Sequence, residues 1–243
     1  IVDKIYEIIR EINGQRWNAG TKDEILESRR LGTRHLVEGL AALDEAARPR
    51  ALVSASGVDY YAPRGDEPID ESGDAGDHFP AQVCVAWEEE AQRAEELGLR
   101  VVRVRTAVVL HPSEGALAKM LPFFKLGIGG PIAGGRQYFP WISRQDIVGL
   151  YLAALDHPTF SGPLNAGAPQ TATNKELSRT LGRVLRRPAF APVPALAIKA
   201  LYGEMAVLVT SGPRIAPGRA DELGYTFQQP ELEPALRAAL GKS

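Results

Sequence analysis

The 243-residue sequence holds one cysteine, Cys84, which excludes an internal disulfide framework and any metal cage built on thiolates. Its four histidines, His35, His78, His111 and His157, are scattered. They show neither the i,i+4 spacing nor the His-Glu-x-x-His pattern of a zinc helix, so no metal site is expected. An excess of one charge is also missing: 28 Lys+Arg stand against 30 Asp+Glu, a formal net charge of −2. That balance argues against a nucleic-acid binder. No apolar run approaches the ~20 residues of a membrane helix, and the opening segment has no signal-peptide core. The expectation is a soluble, cytoplasmic protein without membrane contact.

What is present fits an ordinary globular chain: 44% apolar and 24% charged residues. At ~150 residues per domain the length suits one large domain or two unequal ones. Residues 1–12 set Ile1, Ile5, Ile8, Ile9 and Ile12 at helical spacing against charged neighbours, an amphipathic helix ended by Asn13-Gly14. Thr21 and Glu24 form a capping-box signature for a long helix over 22–47, stopped by Pro49. ALVSAS (51–56) reads as a buried strand opening into a Gly-, Asp- and Pro-rich loop. Pro80 and Gly98 bracket the next helix, and the Val-dense run 100–110 forms the next strand.

A helix near 115–126 precedes the glycine-rich run 127–135. Ser143 is placed to cap a helix over 144–155, residues 162–166 suit a short strand, and Thr173 with Glu176 opens a further helix. The order of elements predicts an α/β fold, a parallel sheet with a smaller carboxyl-terminal α+β lobe. Its divisions are residues 1–12, 13–165 and 166–243.

In an open parallel sheet, ligands bind beyond the carboxyl ends of the strands. Two such ends stand out: Ser54 and Ser56 leading to Tyr60 and Tyr61, and Arg105 followed by Thr106. A hydroxyl there suits hydrogen bonding to a substrate carbonyl or alcohol. The plainer alternative is a Ser/Gly turn with packed tyrosines. Lys175, Arg179, Arg183, Arg186 and Arg187 form a basic helix face, suited either to nucleotide phosphates or to water. The acidic positions Glu45, Glu88, Glu89, Glu90, Glu95 and Glu96 are read as outer positions of their helices.

SASGVDYY (54–61) resembles the active-site serine strand of extended short-chain dehydrogenase/reductases. NGQRWN (13–18), SRRLGTRHLVE (28–38), the block 105–142 and GPLNAGAP (162–169) resemble an atypical subfamily of nucleoside-diphosphate-sugar epimerase-like proteins. The tail 192–236 resembles the carboxyl-terminal domain of that subfamily. The resemblance implies that the parallel sheet is a Rossmann-like, NADP(H)-binding fold, with oxidoreductase or epimerase chemistry on a small-molecule substrate. It further implies a homodimer through the helices 22–47 and 80–97. By position it assigns Ser56 to catalysis, with Ser54 beside it, and places Arg105, Thr106 and Val108 at the nicotinamide. Gln137, Trp141 and Ile142 fall on the substrate side, with Arg16 and Trp17 in a loop near the same cavity.

Two features depart from the family pattern. No Tyr-x-x-x-Lys pair occurs; at the expected helix, His78 and Gln82 stand at the tyrosine and lysine positions. A neutral amide does not stabilise a phenolate as an ammonium does, so Tyr60, Tyr61 and His78 are the candidate proton donors. Nor does a strand–Gly-x-Gly-x-x-Gly–helix unit precede the NGQRWN block; the glycines at 127–135 follow a helix and precede Pro131, the wrong context. Relatives are expected to carry further strands ahead of this block. An omitted amino-terminal half, a shortened chain whose first helix covers the sheet edge, and a fragment without cofactor binding all fit. The alternative to an enzyme is a non-catalytic nucleotide-binding or scaffold protein of the same fold.

Overall fold

A computed structural model of the chain describes residues 17–242. Arg16 and the isoleucine-striped segment 1–12 lie outside the described residues. In chain order the elements are α1 (Ala19–Ala41), β1 (Ala51–Gly57), β2 (Pro68–Ile69), α2 (Phe79–Gln92), β3 (Arg100–Thr106) and β4 (Val108–Leu110). There follow α3 (Gly115–Lys125), β5 (Trp141–Ser143), α4 (Arg144–Asp156), β6 (Gly162–Ala166) and α5 (Asn174–Leu185). The last elements are α6 (Ala195–Tyr202), α7 (Val207–Thr210), β7 (Arg214–Ile215) and α8 (Leu232–Ala239).

The central sheet runs β1-β3-β6, all parallel. Alternation along the strands divides their side chains between two helical layers. Val102 and Val104 join Ile147, Leu150 and Ala154 of α4 in one core cluster, together with Val53 and Leu164. Val101 instead packs with Val37 of α1, Ala91 of α2 and Leu52. The sheet thus lies between α1/α2 and α4, as the α/β expectation required.

Local signals explain most boundaries. Ser143 caps α4 by accepting from the Asp146 N–H at 2.9 Å, and Thr173 with Glu176 closes a full capping box on α5. Gly98, at φ 81°, ends the turn that follows α2. Three expectations shift. Asn18, rather than Thr21, caps α1, accepting from the Thr21 N–H at 2.9 Å. That helix stops at Ala41, with a short 3₁₀ turn over Glu45–Ala47 before Pro49. The Val-rich run 100–110 is two strands, because the chain changes partners at Ala107: its N–H bonds the Ala166 carbonyl, while Val108 bonds Pro140.

The carboxyl-terminal region is built onto the sheet domain through strand pairing and through shared cores. β7 pairs with β2, parallel, while β4 and β5 pair with each other, also parallel, inside the sheet domain. A second core cluster unites Leu117, Leu121 and Phe124 of α3, Trp141, Leu177 and Leu181 of α5, and Leu236 of α8. Asp146, fully buried at the start of α4, accepts hydrogen bonds from the Tyr225 hydroxyl and the backbone N–H groups of Gln228 and Gln229. Both core clusters therefore draw on residues from either side of position 166.

Candidate active site at the strand ends

Register places Ser56, Arg105 and Asn165 abreast on β1, β3 and β6. Paired residues of parallel strands point to the same face, and this face lies beneath α2. There Glu88 of α2 receives both Nε and Nη2 of Arg105, at 2.8 and 2.9 Å, and the Ser56 hydroxyl at 2.7 Å. The other Arg105 nitrogen donates to the Tyr61 oxygen at 2.7 Å, and Tyr61 donates onward to the Asn165 side-chain oxygen at 2.8 Å. Asn165 in turn donates its backbone N–H to Glu71 at 2.9 Å.

All these groups are buried: Ser56 is 5%, Glu88 4%, Arg105 3% and Tyr61 0% exposed. Burial opposes the charge on Arg105, but Glu88 outweighs it and holds the guanidinium protonated above its ordinary range. Burial pushes the Tyr61 phenol up to about 12. It raises the Glu71 carboxyl as well, and among the described residues the second Glu71 oxygen has no hydrogen-bond partner. Cys84, beside Gly57, is pushed up to about 12 by burial and is a packing residue rather than a nucleophile.

The expected site residues separate accordingly. Ser56, Tyr61 and Arg105 are brought together, with Tyr61 and Arg105 closed inside the network. Tyr60 stands at its mouth: its ring is half-buried, the Arg105 guanidinium lies 3.4 Å from the ring centroid, and its hydroxyl has no partner among the described residues. Ser54 shares the Ser56 face, and its hydroxyl bonds the Ala55 carbonyl at 3.3 Å. Thr106 and Val108 are half-buried, Thr106 facing the α4 side, where it meets the Tyr151 hydroxyl.

His78 is half-buried at the cap position of α2, without a side-chain capping bond. Gln82, expected where the family has lysine, is exposed and donates to the Asp77 carbonyl at 2.8 Å, so its amide is turned back on its own helix end. Trp17 rests edge-on against Phe79, centroids 5.1 Å apart, one residue from His78. Gln137 donates to the Ile132 and Val209 carbonyls and ties the glycine-rich loop to α7. Trp141 and Ile142 are interior: Trp141 is part of the second cluster, its indole N–H bonding the Gln170 carbonyl, and Ile142 packs in the first.

Glu88, Asn165 and Glu71 were not singled out from the sequence. Glu88 was read as an outer position, yet Cys84, Glu88 and Ala91 recur at i, i+4 and i+7 on the buried face of α2. That spacing was the available signal. Glu90 is buried as well, bridged by Arg34 and Arg93, while Glu89, Glu95 and Glu96 are exposed.

Comparison with known proteins meets this geometry. Residues 193–239 match the family model described as a domain of unknown function, DUF1731. The epimerase family protein SDR39U1 of Mus musculus is 40% identical over 225 residues, spanning 92% of this chain and 76% of the mouse protein. The chain belongs to the SDR39U1 epimerase family. The chloroplastic homolog of Arabidopsis thaliana is also 40% identical over 225 residues; the match takes in 93% of this chain but 65% of the plant protein, just under two thirds. Human SDR39U1, solved with NADPH, superposes with a TM-score of 0.87 at 35% identity, covering 94% of this chain and 77% of that one. The Rossmann-like α/β fold and the family resemblance are both borne out. No helix among the described residues is long and apolar enough to cross a membrane.

Among the described residues Tyr60 follows the carboxyl end of β1, Thr106 ends β3 and Val108 opens β4, on the side of an open parallel sheet where ligands bind. A strand–glycine-turn–helix cradle for a pyrophosphate is not found among them.

Proposed function

We propose that this chain forms the nicotinamide and substrate wall of an NADP(H)-dependent oxidoreductase or epimerase site acting on a small carbonyl, alcohol or nucleotide-sugar substrate. The reading rests on one observation: the strand-end hydroxyl groups lie on a sheet whose human relative was solved with NADPH. The dinucleotide, when bound, supplies and accepts hydride; the residues of this chain do the rest.

The hydrogen bonds support a division of parts among them. The Ser56 proton is committed to the Glu88 carboxylate, leaving only its lone pairs to accept from a substrate hydroxyl. Tyr61 has its oxygen filled on both sides. Tyr60 retains a hydroxyl free among the described residues, on a ring steadied by Arg105, and is our candidate for the group that passes a proton to a reacting oxygen. His78, at the start of α2, is the second candidate. Trp17 and Gln137 border the substrate side, and the paired helices α1 and α2 offer a homodimer surface.

Calorimetric titration with NADPH, followed by hydride transfer from NADPH to a panel of carbonyl compounds and nucleotide sugars, tests this. Tyr60→Phe is expected to slow turnover by about a hundredfold while leaving cofactor affinity unchanged. Unchanged turnover in that variant removes Tyr60 from the mechanism. The closure of Ser56, Tyr61 and Arg105 into a buried network supports a second reading, a nucleotide-binding protein without turnover. Tight NADPH binding with no hydride transfer on any substrate would favour it.

A further inference from the structure

The basic face read from the sequence borders a groove of about 740 Å³. One wall is α5, where Lys175, Arg179 and Arg183 follow one another at i,i+4. The other is the segment Arg187–Phe190, which doubles back at the end of the helix. The reversal is a Schellman turn: Arg186 bonds back to the Arg183 carbonyl and Arg187 to that of Gly182. Gly182 makes it tight, since a Cβ there would meet the Ala189 Cβ at 2.5 Å. The residue in the left-handed position is Arg186, at φ 54°, where glycine is the unstrained choice.

Three features of this groove work against the stability of the free chain. Like charges stacked at i,i+4 repel. An arginine is held in a left-handed conformation. Phe190 is 79% exposed at the rim. Among the described residues no acidic side chain lines the groove. Arg183 has Glu233 at 2.9 Å, but Lys175, Arg179, Arg186 and Arg187 have no carboxylate partner among the described residues. The groove shares no residue with the strand-end site, and α5 packs into the second core cluster rather than the one under the sheet.

We propose that this groove is a second site, for the phosphates of a nucleotide, with Phe190 placed to stack on its base. Its volume lies in the small-molecule range. The chain's net charge of −2 argues against the extended basic surface that a nucleic acid requires. Guanidinium groups bind phosphate oxygens in pairs, and a bound polyphosphate would neutralise the repulsion along α5.

Calorimetry with ATP on the NADPH-saturated chain, with inorganic tripolyphosphate in parallel, tests the site. We expect ATP to bind in the micromolar range and Arg179→Gln to weaken it about tenfold. Arg186→Gly is the sharper variant, because it relieves the backbone while deleting the cation: its melting temperature should hold or rise as ATP affinity falls. Phe190→Ala should weaken ATP but not tripolyphosphate. ATP affinity unchanged in both arginine variants, or no binding at millimolar ATP, overturns the proposal. So does a single-stranded RNA oligonucleotide that binds more tightly than ATP and loses affinity steeply with salt.

Discussion

Where the sheet packs on α4 it buries Val53, Val102, Val104 and Leu164 against Ile147 and Leu150, a continuous apolar layer. The opposite face, beneath α2, carries Ser54, Ser56, Arg103, Arg105 and Asn165 on the same three strands. A parallel sheet covered on both sides is ordinarily apolar on both. Here the second face is apolar at its amino-terminal end, where Leu52 and Val101 pack on α1 and α2, and its carboxyl-terminal end is held by a buried ion pair and its hydrogen bonds. Apolar burial is non-directional and tolerates substitution of similar volume. A buried ion pair is stable only while each partner is present, since the desolvation of a lone charge is uncompensated. The α4 face supplies bulk stability; the α2 face fixes where Tyr60 and Ser56 stand.

Breaking the ion pair should give the largest effect. Glu88→Gln strands the Arg105 guanidinium in the interior and is expected to cost roughly 3–5 kcal/mol in urea denaturation. The double variant Glu88→Met with Arg105→Leu should recover most of that loss. If the double variant is no more stable than the single one, the two faces do not differ in the way argued. A smaller effect follows from Tyr61→Phe, which leaves an Arg105 donor and the Asn165 oxygen without their shared hydroxyl. That should cost about 1–3 kcal/mol, with little change expected from a conservative swap such as Val104→Ile on the opposite face if the neighbours repack.

The smallest effect is a pH slope. Burial holds Glu71 protonated above its ordinary 4.5. The folded chain therefore keeps a proton that the unfolded chain has released. This contribution is complete below 4.5 and is lost as pH rises through the folded-state value. Unfolding free energy measured from pH 4.5 upward should decline in the wild type and decline less in Glu71→Gln. Equal slopes in both proteins would show that Glu71 titrates alike folded and unfolded.

Much of the fold was legible because its signals are local. The Ser143 cap, the Thr173–Glu176 box and the apolar runs at 51–56 and 100–106 each depend on a few neighbouring residues. The family blocks carried the fold class. The site was legible only in part: Ser56, Tyr61 and Arg105 were named, but their partner Glu88 lies 32 residues beyond Ser56 in an acidic run that resembles a solvated helix face. The break at Ala107 was hidden because Val108–Leu110 continues the same β-branched pattern, and only the change of hydrogen-bond partner divides the strands. The burial of Trp141 was not legible either, because it is decided by packing from α3, α5 and α8, which lie far from it in the sequence.

The alignment of Ser56, Arg105 and Asn165 across three strands has a consequence for how the chain reaches this state. Sliding β3 by one residue against its neighbours would exchange its faces, carrying Arg105 in among the leucines and isoleucine of α4 and leaving Glu88 to meet a valine. Such a mispaired intermediate gains no compensating contact, whereas a slip in an all-valine strand would cost little on either side. The arginine thus works as an indexing tooth during assembly: only one setting of the sheet lets it close.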